Sequence, residues 1–231
     1  MSKNASALKV KLSSYDELFG AANAPATSDK NQIVNVALGE LHTFQNHPFK
    51  VNDDKEMEEL AESIREHGVL IPGIVRPRAE GGYELIAGHR RKHGSELAGK
   101  TEMPVIIRDY SDDEATIMMV DSNIQRETIL PSEKAKAYAL KYEALKHQGK
   151  RSGKSTLDQV GEAAGENSKK VQRYIWLSRL SDQLLQMVDE KRLGLSQGVD
   201  LSFLSKKSQQ IVADAIEQSK CTVSIGQSAK L

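Results

Sequence analysis

A run of basic side chains sits directly behind a glycine in Gly88-His89-Arg90-Arg91-Lys92-His93. Arginine offers a planar, permanently charged fork that matches phosphate oxygens. Glycine lets the backbone approach an anion with no Cβ in the way. Tyr83 to Ala87 upstream reads as a strand, Ser95 to Lys100 downstream as a helix that stops at Gly99, and Met103 to Ile107 as the next strand. Strand, glycine, basic residues and helix is how backbone N–H groups and fixed positive charge hold a phosphate. A solvated basic turn can be spelled the same way, so the run by itself leaves both readings open.

A second group of residues suits nucleic acid. Thr156 to Ala164 has the length and apolar spacing of a short helix, and Gly165 follows where a tight turn needs positive φ. Asn167 or Ser168 can cap a second helix running to Leu180, with Val171, Ile175 and Leu177 or Ser178 turned inward. Two short helices about a glycine turn make a helix-turn-helix, whose second helix can lie in the major groove. From Ser168 onward that helix offers Lys169, Lys170, Gln172 and Arg173. Gln pairs with adenine, Arg or Lys with guanine, and neighbouring lysines meet phosphates. An ordinary helical hairpin with a solvated basic face is the competing reading. An excess of basic over acidic residues between Pro131 and Arg192 favours DNA. Gly161 sits where such units often carry alanine and is expected to weaken the first helix.

Composition narrows the partners. The chain has 231 residues, 28% charged and 39% hydrophobic, which is room for one large or two small domains. Aromatics are only 5%, so the core must rest on Leu, Ile, Val, Ala and Met. The formal net charge is zero, so any nucleic-acid contact must come from a local patch. A single cysteine, Cys221, excludes an internal disulfide framework and suits a reducing compartment. No apolar run approaches the ~18–20 residues of a membrane span, and no secretory signal is evident.

Elements to position these residues are legible along the chain. Residues 1–32 read as a disordered tail, with a short helix around Tyr15 to Phe19. Ile33 to Leu38 is a strand candidate, and His42 to Lys50 is irregular around Pro48. Asp53 and Asp54 open a helix with Met57, Leu60, Ala61 and Ile64 on one face, ended by Gly68. Ile71 to Arg76 is a strand, and Gly81-Gly82 turns into the next. Ser111-Asp112-Asp113-Glu114 starts a helix with Ile117, Met118, Val120 and Ile124 on its apolar side. From Pro131 the pattern is wholly helical, with Tyr138, Tyr142 and Leu145 on one face, a basic connector at Lys146 to Ser155, a helix from Ser181 to Arg192, and one or two more between Leu201 and Gln218. The fold class is α+β, a small mixed α/β domain over 33–125 followed by an all-α helix-turn-helix domain over 126–220. Residues 221–231 read as the start of a linker to a missing C-terminal module.

Three stretches, in order, resemble the ParB/RepB partition family. Gly68-Val69-Leu70-Ile71-Pro72 with Ile74-Val75-Arg76-Pro77 is similar to the family's Gly-x-x-x-Pro segment. Gly88-His89-Arg90-Arg91 is similar to its Gly-Glu-Arg-Arg box, and Ser122-Asn123-Ile124-Gln125-Arg126 to its Glu-Asn-x-Gln-Arg box. The helix-turn-helix follows at the family spacing, and the match runs over roughly Ile33 to Leu204. The resemblance implies a centromere-binding protein, cytoplasmic and bacterial, associated with nucleoid or plasmid. It implies a homodimer on a palindromic duplex site, CTP and Mg²⁺ as cofactors, a sliding clamp, and a ParA-type ATPase partner. By that analogy Gly88, Arg90 and Arg91 cradle the triphosphate, with His89 in the same cofactor-binding box, Gly68 and Pro72 shape the base and ribose end, Asn123 reaches the magnesium, and Gln125 and Arg126 line the site.

Two departures bear on chemistry. His89 and Ser122 stand where the family has glutamates, the kind of group that coordinates Mg²⁺ or orients an attacking water. Weak or absent CTP hydrolysis is expected, or a metal site using other acids such as Asp121 or Glu127. Leu130-Pro131 is the expected hinge of the clamp. Three rivals remain: sulfiredoxin-like redox chemistry, opposed by the lack of a cysteine in the turn; a nucleotide-dependent small-molecule kinase, which has no need of a helix-turn-helix; and a DNA-binding adaptor insensitive to nucleotide. No paired-carboxylate site supports a nuclease.

Overall fold

The last strand before the basic run is held from both faces. Strands β1 (Ile33–Ala37), β2 (Leu41–Thr43), β3 (Gly73–Pro77), β4 (Tyr83–Ala87) and β5 (Glu102–Ile107) form one sheet in the order β1-β5-β3-β4-β2. β1 runs antiparallel to β5 with Val36 opposite Met103, and β5 runs parallel to β3. β3 is antiparallel to β4 with Val75 opposite Leu85, and β4 is parallel to β2 with Leu41 opposite Tyr83. Alternation sends successive side chains of β4 to opposite faces. Leu85 packs with Val36, Leu41, Val75, Met103 and Val105, while Ile86 packs with Phe44, Phe49, Met119, Val120 and Ala137. The chain therefore reaches Gly88 with its direction fixed.

These contacts come from a computed structural model that describes residues 32–126, 128–149, 153–219, 224–228 and 230, the side chain of Ile225 excepted. The expected tail helix around Tyr15 to Phe19, Glu127 and Cys221 lie outside the described residues.

Helix α1 (Lys55–His67) starts where expected. The Asp54 side chain accepts from the Met57 N–H at 2.9 Å, Met57, Ala61 and Ile64 are buried, and Gly68 closes the helix at φ 73°. Helix α2 (His89–Leu97) does not start at Ser95. Its first turns are the basic residues themselves, because Gly88 caps the helix directly behind β4 and Gly94 seats it on α1. A Cβ at Gly94 would lie 3.1 Å from Ile64 Cδ1. Tertiary packing rather than propensity carries that helix. Helix α3 (Asp112–Asn123) has the capping box of Ser111 and Glu114, but it buries Ala115, Met119, Val120 and Asn123, leaving Ile117 and Met118 half-buried. Leu41–Thr43, expected to be irregular after the first residue, is a sheet edge too short for a periodic signal.

The remainder is helical: α4 (Pro131–His147), α5 (Thr156–Glu162), α6 (Ser168–Leu177), α7 (Asp182–Asp189), α8 (Leu195–Leu201), α9 (Lys206–Ser219) and α10 (Ile225–Ser228). Gly165 turns between α5 and α6 at φ 64°, and the Asn167 side chain accepts from the Lys170 N–H at 2.9 Å. α6 ends at Leu177 rather than Leu180, because a tight turn feeds the Ser181 cap of α7. No helix is expected between Arg192 and Leu201, yet α8 lies there with Gly198 inside it. Gly198 is a close-packing residue, since a Cβ there would lie 2.7 Å from Leu177 Cδ1. Gly161 likewise is no defect: a Cβ would run into the Glu166 carbonyl oxygen and sit 2.9 Å from Val171 Cγ2. Among the described residues, no helix is long and apolar enough to cross a membrane.

Candidate functional site

Gly88 adopts φ +117°, a conformation open to glycine and strained for other residues, and this turns the chain from β4 straight into α2. The first N–H groups of any helix lack intrahelical acceptors. Around this start lies a cavity of about 220 Å³ lined by Ala87, Gly88, His89, Arg90, Arg91, Ser122, Asn123 and Arg126. The end of α3 supplies the residues from the second box, so two segments distant in sequence meet here.

The cavity is strongly electropositive. Arg91 Nη1 donates to the carbonyl oxygens of Ile71 at 2.7 Å and Pro72 at 2.6 Å, which folds its guanidinium back over Gly88. Arg90 donates to both Asp54 oxygens, at 3.2 and 3.4 Å. Arg126 lies over the Phe49 ring, 5.7 Å from its centroid. Burial holds the Arg91 and Arg126 pKa values below the ordinary arginine range, and Arg90 adds to the effect on Arg126. Cations whose charge is disfavoured by burial gain from an anion placed among them.

His89 is 6% exposed, and neither ring nitrogen has a hydrogen-bond partner among the described residues. Its ring lies against that of His47, centroids 3.8 Å apart. His47 Nδ1 is 2.7 Å from the Phe49 carbonyl oxygen, and its Nε2 is also unpartnered. Burial first, then the charges of His47, Arg126, Lys92 and Arg91, push the His89 pKa down to about 3. His89 also lines an adjoining cleft of about 460 Å³ with His47, Lys50, Lys92 and His93, where Asp53, 2.5 Å from His93 Nε2, raises that imidazole's pKa.

A second concave surface lies on the helix-turn-helix. Ser168, Lys169, Gln172 and Arg173 share a groove of about 440 Å³ with Leu157 and Trp176. Lys170 turns the other way, its ammonium 2.7 Å from Glu166. Glu166 also accepts from Lys134 at 2.5 Å and from the Tyr138 hydroxyl at 2.9 Å. Burial raises the Glu166 pKa, but these donors outweigh it and hold the carboxylate below its ordinary range. The two surfaces are physically joined: Gln125 Nε2 donates to the Ala163 carbonyl at 3.2 Å, and Lys141 Nζ bridges Asp121 at 2.5 Å and the Val160 carbonyl at 3.4 Å.

Residues 22–124 match the model of the ParB N-terminal domain. The probable chromosome 1-partitioning protein ParB of Deinococcus radiodurans is 40% identical over 150 residues, covering 64% of this chain and 48% of that protein. The chain belongs to the ParB family. Stage 0 sporulation protein J of Bacillus subtilis is 30% identical over 177 residues, 77% of this chain and 60% of that one. This chain thus spans about half to two thirds of the length of such ParB relatives. Its fold is similar to that of a pNOB8-like ParB N-domain, with TM-score 0.52 at 16% identity over 87% of this chain and 95% of that one.

The ParB-type boxes converge unevenly. Gly88, His89, Arg90, Arg91, Asn123 and Arg126 share the cavity, and Pro72 takes part through its carbonyl. Gly68 lines a separate cleft with Asn35, Val69 and Lys100, and Gln125 is directed at the helix-turn-helix. His47, Phe49, Asp54, Leu157 and Trp176 were not singled out by the sequence. Asp54 was legible as a helix cap but not as the partner of Arg90, since that contact spans 36 residues.

Magnesium does not fit the donor set of this cavity. A hard dication needs carboxylate or carbonyl oxygens, and among the described residues the lining has no carboxylate: it offers three guanidiniums, an imidazole, a hydroxyl and the Asn123 amide, whose Oδ1 is its one side-chain carbonyl oxygen. The Asn123 amide nitrogen donates to the Met119 carbonyl at 2.8 Å, holding that side chain against its own helix. Asp121 is taken by Lys141, Asp54 by Arg90, and among the described residues no cluster of three His, Cys, Asp or Glu groups could hold a metal ion. Glu127 lies outside the described residues.

Proposed function

We propose that the chain is a cytoplasmic DNA-binding partition protein, nucleoid- or plasmid-associated, whose cationic cavity takes the triphosphate of CTP and whose helix-turn-helix takes a palindromic duplex site. The observation that carries this is the convergence of Gly88, Arg90, Arg91 and Arg126 on one electropositive cavity, with the neighbouring Gln125 bonded to the helix-turn-helix. Arg90 lies between this cavity and Asp54, the cap of α1, so an anion there acts on a residue bonded to the start of α1 as well as on α2. Palindromic recognition calls for a homodimer, because two-fold DNA is met by two-fold protein. A ParA-type ATPase is the partner expected of a partition protein. The Leu130-Pro131 junction is the hinge of the clamp: Glu133 accepts from the Leu130 N–H at 3.1 Å and the Lys50 N–H at 2.7 Å, tying the loop beside the cavity to the first turn of α4.

With His89 and Ser122 in place of carboxylates, no group among the cavity's lining is suited to activate water, and hydrolysis is slow or absent. Calorimetric titration of CTP and of ATP tests the reading. CTP should bind in preference to ATP, and Arg90→Ala should weaken it at least tenfold. A duplex-binding titration with and without CTP completes the test: DNA binding that ignores CTP would leave a nucleotide-insensitive adaptor, and a preference for ATP would point to a kinase.

A further inference from the structure

We propose that His89 is itself a ligand of the bound anion, and that it lets this cavity hold a polyphosphate without a divalent cation. The proposal rests on the reading of the cavity as an anion site, and not on CTP being the anion.

A buried imidazole with two unsatisfied nitrogens is unfavourable, and native interiors keep very few such groups. Packing alone would be served by a phenylalanine or leucine. His89 holds its ring against His47, with neither nitrogen engaged, in the wall of the space that Arg90, Arg91 and Arg126 face. One nitrogen of a neutral imidazole is already a donor, and the other becomes one on protonation.

The charges around the cavity fit an anion that arrives without its metal. Among the described residues, the carboxylates beside the lining have protein partners: Asp54 meets Arg90, Asp121 meets Lys141, and Glu133 holds the Lys50 and Leu130 N–H groups. The charges that act most on His89 are those of His47, Arg126, Lys92 and Arg91, and the cleft on its other side carries Lys50 with Asp53 and Glu96, both of which contact His93. Three guanidiniums and a helix start supply compensation that Mg²⁺ gives where a site is lined by acids. A phosphate oxygen beside His89 also favours the imidazolium over the imidazole, so the bound ring titrates above the free ring's value of about 3, binding draws a proton from solvent onto it, and affinity tightens as pH falls toward that free value.

The test is calorimetric titration of inorganic triphosphate and of CTP into the full chain, each in EDTA and in Mg²⁺. The wild type should bind in EDTA within about threefold of its affinity in Mg²⁺. His89→Glu puts a carboxylate into the cavity: it should lose at least tenfold in EDTA and recover most of that in Mg²⁺. His89→Asn, which keeps a neutral donor and guards against misfolding of the glutamate variant, should lose a few-fold in both media and lose the pH dependence. Wild-type binding seen only in Mg²⁺ would overturn the proposal while leaving the nucleotide reading intact. Triphosphate bound in EDTA with CTP rejected would support the proposal and sink the nucleotide reading. Failure of both probes in both media would overturn the two together.

Discussion

A neutral histidine among arginines ties this fold to pH. In the folded chain the His89 pKa lies at about 3, whereas an unfolded histidine titrates near its ordinary value of about 6.5. A depressed folded pKa means that the stability is present above the unfolded value and is lost as pH falls toward the folded one. Taking the chain from pH 7 to pH 5 should therefore cost about 2 kcal/mol through His89 alone. Denaturant midpoints at the two pH values check this. His89→Asn should flatten the dependence, and an equally steep acid loss in that variant would place the titrating group elsewhere. His93 has the opposite sign: its pKa is raised by Asp53, so its smaller contribution is present at low pH and fades as pH rises through the folded value.

At the level of elements, the helix-turn-helix is specified by two glycines with different duties. Gly165 supplies a positive φ, and Gly161 supplies room for the Glu166 carbonyl, whose neighbouring N–H donates back to the Gly161 carbonyl at 3.0 Å. Alanine is the better helix former, and on propensity Gly161→Ala should stabilise α5 by about 1 kcal/mol. The close approach reverses that sign. A methyl group forced onto a backbone oxygen should destabilise the chain by roughly 2–3 kcal/mol, read as a lower midpoint in urea. A stabilised variant would mean that α5 and the turn after it are not packed as described. The same reversal applies to Lys170, which sits among the DNA-facing polar residues in sequence but is directed at Glu166 in space.

For the whole molecule, zero net charge with a local basic groove predicts modest dependence of DNA binding on salt. Each phosphate contact adds roughly 0.9 to the slope of log affinity against log salt. Lys169→Ala should lower that slope by about 1, whereas Lys170→Ala should leave the slope unchanged and show its effect in stability. Titrations at several salt concentrations separate the two. Equal slopes for both variants would mean that the groove of Lys169, Gln172 and Arg173 is not the surface that meets the backbone of DNA.

Local signals decided much of this protein from sequence alone. Caps at Asp54, Ser111 and Asn167, the stops at Gly68 and Gly165, and the strands at Tyr83 to Ala87 and Met103 to Ile107 depend on residues near in sequence, and they stand where the residues put them. The glycine and its arginines were legible as a phosphate-type signal for the same reason. What sequence could not decide depends on contacts between distant segments. That α2 begins at His89 depends on Gly94 meeting Ile64, and that Asn123 faces inward depends on α3 closing the cavity. The burial of His89 against His47, the hold of Asp54 on Arg90 and the reach of Gln125 to Ala163 span 42, 36 and 38 residues. Periodicity reports which face of an element is apolar, but the partner that covers the face, and any polar group trapped beneath it, is set only when the sheet and helices close on one another.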